Sequence, residues 1–160
     1  MSTDRPFRIL VLCTGNSARS QIAEALLANR GKGRVHAASA GSEPAAHVNP
    51  YALEILHEHG IPWEGHEPRG IDTFEGERFD LVITVCDDAR DACPYFSGAR
   101  VQVHWGLPDP AAAASPDEAR RAFRRTYDEL ERRIEALLAL PLESMTPEAL
   151  AERAGELAKR

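Results

Sequence analysis

At 160 residues, 43% hydrophobic and 28% charged, the chain is the size of one domain able to build an ordinary core without staples. Acidic residues outnumber basic ones 25 to 19, for a formal charge of −6, which argues against a nucleic-acid partner. No apolar run approaches the roughly 18 residues that cross a bilayer, and the opening MSTDRPFRILVLC lacks a signal-peptide apolar region, so the expected location is cytoplasmic with no membrane partner.

Residues 7–13, FRILVLC, form a short continuous apolar run, and SQIAEALLANRGKG after it has helical spacing with a glycine stop. The pair reads as strand, tight loop, helix. Residues 35–41 predict a second strand, and a helix follows from about Asn49, with Pro50 at its first position and Gly60 at its end. Residues 78–86 and 99–105 predict the third and fourth strands. A charged helix from about Ser115 to Leu140 carries Phe123, Tyr127, Leu130, Ile134, Leu137 and Leu138 on its apolar face. The last segment, 141–160, reads as a helical extension capped by Thr146 with Pro147 behind it. Strands alternating with helices predict an α/β fold, a doubly wound parallel sheet covered on both faces. Such sheets bind ligands at the carboxyl ends of their strands, which puts Cys13, Cys86 and the loop of Asp109 on one rim.

The three cysteines, Cys13, Cys86 and Cys93, cannot all pair within one chain and do not make a disulfide framework. In a chain this rich in arginine a Cys-x5-Arg spacing alone is a weak signal. The whole stretch Cys13-Thr14-Gly15-Asn16-Ser17-Ala18-Arg19-Ser20, set between a buried strand and a helix, is a stronger one. A loop there aims backbone N–H groups and the positive helix end at one point, a site for a tetrahedral oxyanion. Gly15 and Asn16 are expected to take the left-handed backbone that a concave loop requires. Arg19 has the planar fork to clamp two anion oxygens, and Ser20 a hydroxyl to donate to the sulfur. Together these groups favour the thiolate and make Cys13 the candidate nucleophile.

CTGNSARS resembles the Cys-x-Gly-Asn-x-x-Arg-Ser loop of low-molecular-weight protein tyrosine phosphatases and of the arsenate reductases built on the same fold. The similarity extends over residues 7 to about 139, with SAG at 39–41 resembling the end of the family's second strand. It implies one domain over 1–140 with a four-stranded parallel sheet, followed by the extension, and a general acid at Asp109 in HWGLPDP. VITVCDDARDACPYF resembles the matching segment of thioredoxin-coupled arsenate reductases. The resemblance implies arsenate as substrate, thioredoxin as reductant, no cofactor, and a relay from Cys13 to Cys86 and on to Cys93. If residues 86–93 begin as helix, seven steps of about 1.5 Å put the two cysteines roughly 10 Å apart, too far for a disulfide, so the segment is expected to unwind.

The same loop serves a phosphatase, which needs only Cys13, Arg19 and Asp109. Tyrosine phosphatases of this fold carry aromatic residues beside the Asp-Pro, whereas Ala111 and Ala112 follow it here. A zinc site from Cys86, Cys93 and His104 is a third reading, disfavoured by a cysteine spacing wider than the usual knuckle. His36, His47, His57, His59 and His66 are expected to face solvent. Some reductases of this class hold a potassium ion through Asn, Glu, Ser and Asp. Asn16, Glu24 and Ser39 match the first three, but the aspartate position falls on Arg69, whose charge would take the ion's place.

Overall fold

Short apolar runs alternating with amphipathic ones resolve into four strands and four α-helices in the computed structural model, which describes residues 5–63, 65–86 and 95–159. In chain order these are β1 (Phe7–Cys13), α1 (Arg19–Arg30), β2 (Val35–Gly41), α2 (Pro50–Glu58), β3 (Leu81–Thr84), β4 (Gln102–His104), α3 (Pro116–Leu138) and α4 (Pro147–Glu156). The sheet runs β2-β1-β3-β4 and every pairing is parallel. All strand carboxyl ends therefore share one edge, with β1 central. Cys93 and the rest of the segment between Cys86 and Tyr95 lie outside the described residues, as does the expected helix there.

The period-two alternation of the strands divides the core. Ile9, Val11 and Cys13 of β1 face a cluster that receives the helices, including Ile22 and Leu26 of α1 and Phe123, Tyr127, Leu130, Ile134 and Leu137 of α3. Leu10 and Leu12 face a smaller cluster closed by Phe74, Phe79 and Phe96. β3 and β4 are shorter than the sequence predicts. Before β3, the Arg8 N–H is taken at 2.8 Å by the Asp80 carboxylate instead of a carbonyl. Beyond it, alternation fails, because Val85 and Cys86 both join the cluster on the Cys13 side.

Helix starts follow the capping residues. The Asn49, Ser115 and Thr146 side chains accept from Tyr51, Glu118 and Ala149 N–H groups, and a proline holds the first turn each time. The extension is not a loose tail. Leu142, Leu150 and Ala154 are buried in the main cluster, and the fully buried Trp105 donates its indole N–H to the Ala154 carbonyl at 3.0 Å. Arg34 ties the end of α3 to this segment through the Leu138 and Leu140 carbonyls and Glu143. The Arg34 hydrogen bond holds the Glu143 carboxyl below its usual range, so this tie is complete above that range and is lost as pH falls through the folded value. Leu150→Ala is expected to cost about 2–5 kcal/mol, read as a lower denaturant midpoint. A shift worth less than about 0.5 kcal/mol is what an exposed surface residue gives, and would mean that α4 is dispensable to the core.

Candidate active site

β1 ends in Cys13, and residues 14–18 carry the chain to α1. The loop's carbonyls are taken from outside. Cys13, Thr14, Gly15 and Ser17 carbonyls accept from the N–H groups of Ser42, Glu43, Ala45 and Asn49 at 2.8–3.1 Å, and the Asn16 carbonyl accepts from Gln21 Nε2 at 3.1 Å. No peptide of the loop is cis, so each following N–H points the opposite way, toward the concave side. Asn16 N–H lies 3.1 Å from Cys13 Sγ. The result is a cup of N–H donors at the start of a helix, suited to a tetrahedral oxyanion.

Asn16 is the residue in the left-handed region, at φ 53°. Gly15, expected to share that conformation, does not adopt it. Asn16 suffices for the turn because its buried side chain is fixed on both sides: Nδ2 donates to Ser20 Oγ at 2.8 Å and Ser39 Oγ at 2.9 Å, while Oδ1 accepts Arg69 N–H at 3.0 Å. The Ser20 oxygen accepts from Asn16, which turns its hydroxyl hydrogen toward Cys13 Sγ, 2.9 Å away. The sulfur thus faces two hydrogen-bond donors.

The glycine whose missing side chain matters is Gly41, at the end of β2. A Cβ there would stand 2.4 Å from the Thr14 carbonyl oxygen and 3.0 Å from Asn16 N. Gly41→Ala is expected to push the loop out of shape at about 1–3 kcal/mol, measured by denaturant unfolding, with a matching loss of anion affinity. An unchanged midpoint would show that the loop gives way freely.

Arg19 is buried, and its NH1 donates to the carbonyls of Leu107 at 2.9 Å and Val85 at 3.4 Å. The guanidinium therefore spans the chain leaving β3 and β4, next to Cys86. Cys86 is fully buried. Because Leu12 pairs with Thr84 and Val85 N–H bonds the Leu12 carbonyl, Cys13 and Cys86 leave adjacent strands as diagonal neighbours. Thr14 Oγ1 is buried with no hydrogen-bond partner among the described residues, a cost that a bound anion would relieve. Ser17 is half-buried and Ala18 buried, both supplying backbone. Asp109 stands on the same rim but is exposed, its carboxylate accepting Ala111 N–H at 3.0 Å. A cleft of about 810 Å³ opens beside it, lined by Leu107, Pro110, Ala113, Arg121 and Arg125 among others.

Behind the cup lies a second set of contacts. Ser39 donates to Glu24 Oε1 at 2.6 Å, and His66 Nε2 meets the same oxygen at 3.0 Å. His66 is thus a half-buried partner of Glu24, not the solvent-facing residue expected; its sequence context HEP carries no signal for it. Gln21, which reading the sequence also missed, bonds the Asn16 and His66 carbonyls and is held by Trp63 Nε1 at 3.2 Å. The potassium ion of some similar enzymes does not fit here. Its would-be oxygens are turned to hydrogen-bond donors, and Arg69, with Nε 3.2 Å from the Ser39 carbonyl, brings positive charge where a carboxylate would be needed.

A family model described as low molecular weight phosphotyrosine protein phosphatase matches residues 8–152. An arsenate reductase of Halalkalibacterium halodurans is 41% identical over 133 residues, spanning 79% of this chain and 91% of that protein. The arsenate reductase of Bacillus subtilis is 39% identical over 127 residues, with the same coverage of 79% and 91%. Among solved structures, the thioredoxin-dependent arsenate reductase of Corynebacterium glutamicum superposes with a TM-score of 0.64 at 29% identity, over 86% of this chain and 63% of that one.

Proposed function

The chain belongs to the low molecular weight phosphotyrosine protein phosphatase family, and from that premise we propose that it is an arsenate reductase working through a three-cysteine relay recycled by thioredoxin. The observation that carries the reading is the second thiol: Cys86, fully buried, leaves the strand beside the one that ends in Cys13 and follows the carbonyl bonded by Arg19.

The cup and Arg19 bind arsenate. The Cys13 thiolate attacks arsenic, an As–S bond forms, and an oxygen leaves as water after taking a proton, for which Asp109 is the carboxyl on the rim. The Cys86 thiolate then attacks Cys13 Sγ. The electron pair of the As–S bond passes to arsenic, reducing As(V) to As(III), and arsenite departs as the Cys13–Cys86 disulfide forms. Attack by the Cys93 thiolate on Cys86 frees Cys13 and leaves a Cys86–Cys93 disulfide, which a dithiol protein such as thioredoxin reduces with two electrons. Thioredoxin coupling is supported by the similarity to the Corynebacterium glutamicum enzyme, whose own name carries that dependence.

A phosphatase needs none of this beyond Cys13, Arg19 and Asp109. Among the described residues the cleft beside Asp109 is lined by Ala112, Ala113 and arginines, with no aromatic ring to hold a phenyl group, which disfavours phosphotyrosine. The deciding experiment is arsenite production by purified protein with thioredoxin, thioredoxin reductase and a nicotinamide reductant supplied or omitted. Arsenite formed only with the complete set is the expected result. Efficient aryl phosphate hydrolysis with no arsenite would overturn the reading.

A further inference from the structure

The cup is held from behind by a continuous set of hydrogen bonds. Cys13 Sγ faces Ser20, Ser20 faces Asn16, Asn16 faces Ser39, and Ser39 faces Glu24. That set contains one carboxylate, and Glu24 is mostly buried, so its oxygens need hydrogen-bond partners close by. Two residues of one segment brace the set, His66 at Glu24 and Arg69 at Ser39 and Asn16. His66 Nε2 lies 3.0 Å from Glu24 Oε1 while its Nδ1 lies 2.7 Å from the Glu67 carbonyl, so the ring faces an acceptor at both nitrogens. Arg69 bonds the Ser39 carbonyl through Nε, stacks over the Phe74 ring at 4.7 Å, and gives its backbone N–H to Asn16 Oδ1. The segment carrying both is joined to β2 by the Gly41–Gly70 bridge and the bond from Gly41 N–H to the Arg69 carbonyl.

We propose that His66 and Arg69 are positioning residues that brace the nucleophile loop with their own hydrogen-bond donors, so that the shape of the cup and the reactivity of Cys13 do not depend on any monovalent ion. Asn16, whose strained backbone sets the cup, is the element they hold. Arg69 fixes Ser39 and Asn16 from one side, and His66 fixes Glu24 and, through it, the Ser39 hydroxyl from the other. The inference rests on Cys13 being the loop's nucleophile and not on which oxyanion is turned over, so a protein that failed to make arsenite would leave it standing.

The test is the rate at which iodoacetamide alkylates Cys13, followed on the Cys13 peptide by mass spectrometry, in choline, sodium or potassium chloride at one ionic strength. For the wild-type protein the three rates are expected to agree within about two-fold, and the melting temperatures to coincide. Arg69→Asp removes the guanidinium and adds the missing carboxylate; in choline its Cys13 should react about ten-fold more slowly, with potassium restoring most of the loss. Arg69→Lys and His66→Gln, which keep a donor, should stay within about three-fold of wild type, whereas His66→Ala should not. If Arg69→Asp does not fold, the wild-type ion comparison and the His66 pair still decide. A potassium-specific acceleration of wild type beyond two-fold, or unchanged Cys13 reactivity in both Arg69→Asp and His66→Ala, would overturn the proposal.

Discussion

Cys13→Ser is expected to abolish arsenite production, by at least about a thousand-fold, together with any aryl phosphate hydrolysis. The cup of N–H groups and Arg19 remain, so the anion still binds. What is lost is a sulfur nucleophile held by two hydrogen-bond donors, replaced by a hydroxyl, which is a far weaker nucleophile at neutral pH. Both donors can serve the serine oxygen, so stability should change little, by about 1 kcal/mol. The checks are arsenite formed per turnover and the affinity for phosphate by calorimetry. Arsenite production at the wild-type rate, with phosphate affinity intact, would falsify the role given to Cys13.

Cys86→Ser separates the two reactions the loop could run. Turnover of arsenate should stop, since no second sulfur remains to break the As–S bond, while hydrolysis of a small aryl phosphate stays within about five-fold of wild type. Cys86 is fully buried, and a serine hydroxyl is more polar than the thiol it replaces, so Cys86→Ala serves as the companion variant. Both substitutions should give the same split. If both still release arsenite at the normal rate, Cys86 is a packing residue. If both lose hydrolysis as well, its part is to hold the loop rather than to relay electrons.

Much of this site is legible in the sequence because its parts are local. The strand, the loop and the helix start occupy consecutive positions, and the spacing of Cys13, Arg19 and Ser20 is set within them. The fold class follows from the alternation of element types, and the helix starts from Asn49, Ser115 and Thr146. What could not be read depends on contacts between distant stretches. Gln21 meets the His66 carbonyl across 45 residues, and His66 meets Glu24 across 42. A histidine beside proline and glutamate looks like any exposed one until the chain returns to α1. The ends of β3 differ from the expectation for the same reason: Asp80 interrupts the ladder through a partner on β1, and Cys86 turns inward where the strand stops. Gly15 drew attention as the loop's glycine, but Gly41, on another strand, is the one whose missing Cβ the loop needs.

The outward-turned carbonyls mean that the eight residues from Cys13 to Ser20 are not a portable cassette. Their curvature is written partly in residues 41–49, whose N–H groups receive the outer rim, and partly in a neighbouring strand that must end without a side chain. A peptide of the same spelling, or a transplant onto another strand-to-helix turn, would carry the letters without the cup. Conversely, a deletion within 42–49, which contributes none of the reacting atoms, should inactivate the protein as thoroughly as damage to the loop itself. Any search for this chemistry in other chains therefore has to look for the receiving strand and turn as well as for the motif.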